Sequence, residues 1–361
     1  MAVRFGLVGA VVGLTLLGVP AVGASPSGIA AEVADLVVDA AHKRVYYSSG
    51  ASANQVISVG FDGRGKKVLE NQFGASGLVL SADGKTLYVA LAAGDAISAI
   101  DTATLTERAR YGLNPHSCPT HLARTGSDVW FGYGCDAWSG EIGRLDTAVE
   151  PAVPTYGHQA PEPGNPEKDQ RRFERAPLLA EGGEGAAVRV VAGQPHISPV
   201  NVRVFRVDGG KLVEEGRQDR GGSNLTDLTV GADGALFYTA AGSQDHVGAY
   251  RADKDMGSAG AWRTGQAPNS VAASPDGAWL AAGVRTAGPD GASVYVHAPD
   301  AARDPRTYRL PVGQRLVDRG LAWSEDGKVL AIAARRGQEP APVVHIVDPS
   351  RTHSGSEDGG L

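Results

Sequence analysis

The sequence lacks long runs of helical periodicity, has only two cysteines, and carries no run of consecutive Lys and Arg residues longer than two. The absence of basic blocks, together with a net charge of −6, argues against a nucleic-acid partner. The scarcity of helical pattern, set against 49 glycines and 21 prolines, favours many short strands joined by turns. At 361 residues the chain is long enough for one large all-β domain.

Catalytic signatures are also missing. The sequence contains no G-x-S-x-G, H-E-x-x-H, phosphate-binding-loop or dinucleotide fingerprint, and its nine histidines have no ligand-like spacing. We therefore expect no catalytic residues, no metal ligands and no cofactor, and we favour a protein that is not an enzyme.

An apolar stretch opens the chain. Phe5–Val19 follows Arg4 and precedes a proline and three small residues. This pattern predicts a secretory signal peptide over residues 1–24. An uncleaved membrane anchor is the alternative, because residues 5–24 just reach the length of a membrane span. After cleavage we expect the protein to be secreted or held at the exterior of the cell envelope, without membrane contact.

A hairpin pattern repeats along the chain. The stretch LVLSADGKTLYVAL at 78–91 joins two apolar strands through an Asp-Gly turn. Close copies occur at 227–241, 269–283 and 320–334, and weaker ones at 35–49, 120–134 and 176–192. The Asp-Gly turns at 233, 276 and 326 are 43 and 50 residues apart, a spacing typical of four-stranded propeller blades.

Seven copies predict an all-β fold, a seven-bladed β-propeller of four-stranded antiparallel blades over residues 25–349. A disordered polar tail is expected at 350–361. Each strong copy is followed by two further strand candidates, such as 95–102 and 105–112 after the first copy. We assign the former to the outer strand of one blade and the latter to the inner strand of the next, so that each repeated hairpin begins at a blade's second strand. The stretch at 343–350 is then the last outer strand, and the closure of the ring is left open.

The repeats resemble a known family. Segments such as GASGLVLSADGKTLYVALAAGDAISAIDT resemble the YVTN-type bacterial β-propeller repeat, a WD40-like unit. The stretch CPTHLARTGSDVWFGYGCDAWSGEIGRLD is similar to the propeller region of secreted Gram-positive proteins that often carry immunoglobulin-like repeats. The resemblance covers about residues 29–349 and implies a binding or scaffold module for an extracellular protein, peptide or glycan, in a chain expected to be monomeric.

The two cysteines flank the third hairpin. Cys118 and Cys135 lie symmetrically about its turn at 126–127. Residues so placed face each other across an antiparallel pair with Cα atoms about 5 Å apart, which a disulfide tolerates. Because export favours oxidation, the spacing predicts a structural disulfide. Two buried free thiols are the alternative, and a zinc site would need two more ligands, for which only His116 and His121 lie near.

One position recurs where a strand begins in six of the copies. It is occupied by Asp35, Gly77, His121, Asp227, Ser270 and Gly320. If this position lies near the central channel, Asp35, His121 and Asp227 could converge on a cation or a carbonyl substrate, and a metal-dependent, lactonase-like hydrolase is then the second functional candidate. We favour the alternative that these side chains cap turns and bond backbone amides.

The fourth copy carries an irregular segment. GHQAPEPGNPEKDQRRFER at 157–175 is proline-rich and then densely charged. A solvated insertion loop is the simpler interpretation, and a partner-binding loop is the functional alternative.

Overall fold

The computed structural model describes residues 32–51, 53–158, 172–219, 222–288, 290–298, 304–337, 339 and 341–350. The signal peptide predicted at 1–24 lies outside these residues, as do nearly all of the predicted tail and most of the charged segment at 157–175. These three assignments stay predictions. Within the described ranges, no helix is long and apolar enough to cross a membrane.

The described residues form seven antiparallel sheets, six with four strands and one with three. Each sheet is one blade, and its strands lie side by side in chain order. Blade 1 has β1 (Asp35–Asp39), β2 (Arg44–Ser48), β3 (Val56–Gly60) and β4 (Lys67–Leu69), and blade 2 has β5 (Ala75–Leu80), β6 (Thr86–Leu91), β7 (Ala96–Asp101) and β8 (Thr106–Gly112). Blade 3 has β9 (His121–Thr125), β10 (Asp128–Tyr133), β11 (Glu141–Asp146) and β12 (Pro154–Thr155), and blade 4 has β13 (Leu178–Gly182), β14 (Arg189–Gly193), β15 (Val202–Asp208) and β16 (Lys211–Gln218).

The remaining blades follow the same plan. Blade 5 has β17 (Leu225–Val230), β18 (Leu236–Ala241), β19 (His246–Arg251) and β20 (Ser258–Arg263), and blade 6 has β21 (Pro268–Ala273), β22 (Leu280–Val284), β23 (Val294–His297) and β24 (Arg306–Tyr308). Blade 7 has β25 (Gln314–Trp323), β26 (Leu330–Arg336) and β27 (Val343–Val347). The helical content of the described chain is one short 3-10 turn, Gly185–Ala187.

The first strands of the blades surround the centre of a closed ring. Each contacts the first strand of the next blade, from β1 through β5, β9, β13, β17 and β21 to β25, and β25 in turn contacts β1. A parallel bridge between Val38 and Ser324 joins the first blade to the last. The all-β, seven-bladed architecture that the repeats predict is therefore confirmed, with blade 7 showing three strands in the described residues.

The predicted place of the repeated hairpin within a blade is wrong by one strand. β5, the first strand of the strongest copy, is the innermost strand of blade 2, and β8 pairs with β7 as the outer strand of that same blade. The hairpin lies inside because neighbouring blades cover both of its faces: β6 is buried along nearly its whole length. β8 instead alternates exposed and half-buried positions, as an outer strand does.

The hydrophobic core lies between the blades. One cluster packs Tyr88 and Ile97 of blade 2 against Leu122 and Phe131 of blade 3, and comparable clusters join the other neighbours. Because each blade buries its faces on its neighbours, the ring rather than the single blade is the stable unit.

The four Asp-Gly turns share a backbone hydrogen bond donated by the glycine, and all but the blade 5 turn add a bond from a serine hydroxyl to the aspartate. In blade 2 the backbone N–H of Gly84 donates to the carbonyl of Ser81 at 2.9 Å, and the Ser81 hydroxyl donates to Asp83 Oδ1 at 2.7 Å. The corresponding glycines have φ of +68° to +70° and are Gly84, Gly234, Gly277 and Gly327. We call the side of the ring that carries these turns the turn face. The opposite side, where the chain enters each first strand and where Cys118 and Cys135 lie, is the disulfide face.

Candidate functional site

A bulge in the innermost strand of blade 7 shapes the channel. The pairing of β25 with β26 shifts register between Leu316 and Leu321, so residues 317–320 leave the ladder. Within this bulge Arg319 has a φ of +55°, in the left-handed region that non-glycine residues rarely adopt. Backbone strain of this kind persists only where the surrounding contacts determine it.

Those contacts are two aspartates on other blades. Arg319 Nη2 lies 3.3 Å from Asp35 Oδ1 of blade 1, and Arg319 Nε lies 3.5 Å from Asp227 Oδ1 of blade 5. All three side chains are largely withdrawn from solvent, with exposed fractions of 18%, 11% and 9% for Arg319, Asp35 and Asp227. Blades 1 and 5 are not neighbours in the ring, so a guanidinium that contacts both lies across the channel.

Both aspartates also bind backbone amides of the following blade. Asp35 Oδ2 accepts a hydrogen bond from the N–H of Leu78 in blade 2 at 2.9 Å, and Asp227 Oδ2 accepts one from Val271 in blade 6 at 2.9 Å. The Oδ1 atom of each accepts the N–H of the next residue in its own strand at 3.0 Å. Each carboxylate therefore links two adjacent innermost strands.

Burial controls the protonation of this cluster. It raises the pKa of Asp227 to about 7, against the opposing effect of the Arg319 charge, and the neighbouring Asp35 carboxylate raises it further. Burial also raises the pKa of Asp35, again opposed by Arg319. One guanidinium faces two carboxyl groups, so a proton held by one of them avoids a second buried negative charge.

His121 lies in the same region as a neutral ring. Burial, and then the positive charge of Arg319, hold the pKa of His121 well below its usual value. Its Nδ1 lies 2.8 Å from Thr120 Oγ1, and the ring also bonds the backbone carbonyl of Pro177, which leads into blade 4. His121 thus connects blades 3 and 4 much as Asp35 connects blades 1 and 2.

The other aligned positions are places of close packing between strands. The N–H of Gly77 donates to the carbonyl of Thr120 at 2.7 Å, and a Cβ on Gly77 would lie 2.8 Å from backbone atoms of blade 3. A Cβ on Gly320 would lie 2.9 Å from the carbonyl oxygen of Ala333 in β26. Ser270 is fully buried, and its hydroxyl makes no hydrogen bond within the described part of the chain.

Asp35, His121 and Asp227, which the sequence analysis selected, lie in one region of the structure. The cation in that region is the guanidinium group of a residue of the chain itself. Asp35 and Asp227 contact Arg319, and His121 feels its charge. The contacts match the interpretation in which these residues bond backbone groups. The sequence analysis did not identify Arg319. The one available indication was the pair of charged residues at 318 and 319, directly before the apolar residues of the same strand.

The predicted disulfide is present on the rim of the same mouth. Cys118 and Cys135 are bonded with Cα atoms 5.2 Å apart, and β9 pairs with β10 in the register that the symmetry about 126–127 requires. Asp95 accepts the backbone N–H of Cys118 at 2.8 Å. These three residues form the one cluster with metal-like spacing that the described ranges contain, and its two sulfur atoms are joined to each other.

The channel opens into a cavity at each end. The cavity on the disulfide face measures about 500 Å³ and is lined by His121, Arg175, His196 and Arg319 among others. The one on the turn face measures about 520 Å³. There Arg124 lies 4.0 Å from Glu325, and burial raises the pKa of Glu181 to about 7.

Solved structures share this fold at low sequence identity. The chain is similar to a hydrazine synthase structure from Kuenenia stuttgartiensis, with a TM-score of 0.62 and 16% identity over 90% of this chain and 98% of that one. It is similar to a streptogramin B lyase, with a TM-score of 0.60 and 14% identity over 88% of this chain and 94% of that one.

A third similar structure is the β-propeller domain of Cps50 (Swd1) from Myceliophteria thermophila, with a TM-score of 0.61 and 13% identity over 89% of this chain and 99% of that one. No protein-family model and no curated protein matches the chain. At these identities the likeness shows the β-propeller fold alone.

Proposed function

We propose that this chain is an exported β-propeller that acts as a binding or scaffold module for an extracellular protein, peptide or glycan. The observation that supports this most is the contact of Arg319 with Asp35 and Asp227 across the channel. The side chains best suited to chemistry are engaged in joining blades, so the surfaces left to meet a ligand are the loops and the mouths.

Export belongs to this proposal. It is supported by the apolar stretch within residues 1–24, by the disulfide, and by the resemblance of the repeats to the YVTN-type propellers of secreted Gram-positive proteins. N-terminal sequencing of the secreted protein is expected to begin at or near Ser25. Recovery of the intact chain from Met1 in the membrane fraction would contradict cleavage of the signal peptide and favour the uncleaved anchor.

The disulfide face carries an exposed aromatic anchor. Trp138 is 66% exposed, and it follows Cys135 in the loop between β10 and β11. Its backbone N–H donates to the carbonyl of Glu174 at 2.7 Å, so the loop is tied at both ends. Tryptophan is one of the residue types enriched among interface hot spots.

Binding assays on arrays of glycans and peptides test the proposed role. We expect the mature protein to bind a member of one array, and Trp138→Ala to weaken that binding by about tenfold or more. Val153→Ala is the matched control, because Val153 is 58% exposed but lies on the turn face. The proposal fails if no array component binds, or if both variants bind as tightly as the parent.

Two measurements on the same protein, its metal content and its lactone hydrolysis, test the hydrolase alternative. Two results together would favour the enzyme instead. Elemental analysis would find one divalent metal per chain, and lactone hydrolysis would be lost in Asp227→Asn but retained in Trp138→Ala.

A further inference from the structure

Two arginines face each other without a counter-ion on the disulfide face. Arg315 of β25 and Arg335 of β26 are direct cross-strand partners, and both are exposed. Like charges placed directly opposite in an antiparallel pair are destabilising. Neither guanidinium forms an ion pair with a carboxylate in the part of the chain that the structure describes.

The nearest acidic groups do not neutralise this pair. Asp318 is held by Arg285, whose Nη2 lies 2.6 Å from both of its carboxylate oxygens, and by Asn269 Nδ2 at 2.8 Å. Glu32 lines the same space but pairs with neither Arg315 nor Arg335 among the described contacts. Three guanidinium groups and two carboxylates therefore leave the region with a net positive charge.

The arginine pair lines a cavity on the disulfide face, with walls from blades 6 and 7 and from the segment that leads into blade 1. The cavity measures about 940 Å³, and its wall includes Arg285, Arg315 and Arg335 together with the half-buried residues Val33 and Val317. This volume lies within the range typical of small-ligand pockets. The bulge at 317–320 forms another part of the wall, so the feature that sends Arg319 into the channel also shapes this cavity.

We propose that this cavity binds a small organic anion, with a carboxylate or phosphate group between Arg315 and Arg335 and an apolar portion against Val33 and Val317. Guanidinium groups bind such oxyanions through paired, charge-assisted hydrogen bonds. A bound oxyanion relieves the repulsion between the two arginines. The inference goes beyond the proposed binding role, because it adds a small-molecule site to the surface proposed to bind a protein, peptide or glycan.

Calorimetric titration with three matched probes tests the inference. Benzoate supplies the carboxylate, phenyl phosphate supplies the phosphate, and benzamide is the neutral control. We expect one or both anions to bind the mature protein at one site and benzamide not to bind. Arg315→Gln and Arg335→Gln should each raise the dissociation constant at least tenfold. Arg64→Gln should leave it unchanged, because Arg64 is exposed on the turn face, far from this cavity.

Three calorimetric outcomes overturn the inference: neither anion binds, benzamide binds as well as the anions, or Arg64→Gln weakens binding as much as the cavity variants. The last result would mean that only the total charge matters. If an anion binds the cavity while no array component binds the disulfide face, this inference survives and the broader proposal fails. Array binding without anion binding refutes this inference and leaves the broader proposal intact.

A charge reversal provides an independent readout. Without added anion, Arg335→Glu should raise the melting temperature, because it replaces a like-charge pair by an opposite-charge pair facing Arg315. In that variant the anion should no longer raise the melting temperature, whereas in the parent it does so by mass action. A variant that melts at or below the parent temperature and still responds to the anion would contradict the assignment.

Discussion

The carboxylate of Asp227 in blade 5 accepts a hydrogen bond from the backbone N–H of Val271 in blade 6 at 2.9 Å. Asp35 and Leu78 repeat this contact between blades 1 and 2. The recurrence shows that the aligned aspartates join innermost strands, and it makes their removal a test of fold stability.

Replacing Asp227 by Asn is expected to lower the free energy of unfolding by about 2 kcal/mol, since it puts an amide NH2 in place of one of the two oxygens that accept backbone N–H groups. Urea denaturation measures the change. Asp304→Asn, at an exposed position, is the control and should change stability by no more than about 0.5 kcal/mol. Equal effects of the two substitutions would contradict the assigned role.

Stability should depend on pH through the same residue. Because burial raises the pKa of Asp227 from 3.8 to about 7, the folded state holds a proton that the unfolded state has released between these values. The free energy of unfolding contributed by Asp227 is therefore greatest below about pH 4 and falls as pH rises toward 7. Urea denaturation at several pH values should show a shallower decline for Asp227→Asn than for the parent, and identical slopes would refute the raised pKa.

Alanine substitutions at two turn glycines distinguish the cost of backbone strain from the cost of steric contact. Gly84 and Gly234 have nearly the same φ, +68° and +70°, but a Cβ on Gly84 meets open space and one on Gly234 would lie 2.2 Å from the carbonyl oxygen of Ala187. Gly84→Ala should cost about 1 kcal/mol from the left-handed backbone alone. Gly234→Ala should cost about 2 to 4 kcal/mol, because overpacking adds to the strain.

Gly112 is the control for both, because a Cβ there meets open space and its φ lies outside the left-handed region. Gly112→Ala is expected to be neutral or slightly stabilising in thermal melts. If Gly84→Ala and Gly234→Ala melt at the same temperature, the packing of the blade 5 turn on residue 187 is not as the structure shows.

The disulfide should contribute measurably to stability. Cys118 and Cys135 close a loop with a sequence separation of 17, for which chain entropy predicts about 3 kcal/mol. Reductant is expected to lower the melting temperature of the parent protein but not that of the Cys118→Ala, Cys135→Ala double variant. Unchanged melting of the parent in reductant, with free thiols shown by alkylation, would contradict this.

Much of the fold can be predicted from the sequence because the patterns that indicate it are local. The Asp-Gly turns recur at blade spacing, and the cysteines are symmetric about one turn, so the blade number and the bonded pair follow from counting. The innermost strand is harder to identify, because strands covered on both faces have similar apolar patterns. The charged alternation at Thr106–Gly112 marks it as an outer strand.

The contact of Arg319 with Asp35 and Asp227 in the channel could not be predicted in this way. Asp35 and Arg319 are 284 residues apart, and they meet because the ring closes and because a register shift in β25 turns the arginine inward. The aligned position holds no arginine in the other copies, for example at Thr226 and Asn269, and the bulge at 317–320 is longer than the register shifts in the innermost strands of blades 2, 5 and 6. The period of a sequence repeat predicts neither the contacts made when the ring closes nor the bulge within one strand.

A double-mutant cycle tests most directly the claim that Arg319 is the cation on which the channel aspartates converge. The free energy of unfolding is measured by urea denaturation for the parent, Arg319→Gln, Asp227→Asn and the double variant. A direct contact predicts a coupling energy of about 1 to 3 kcal/mol, with the double variant less damaged than the sum of the single ones. Additivity to within about 0.5 kcal/mol would contradict the account, because it would mean that the two side chains do not interact across the channel.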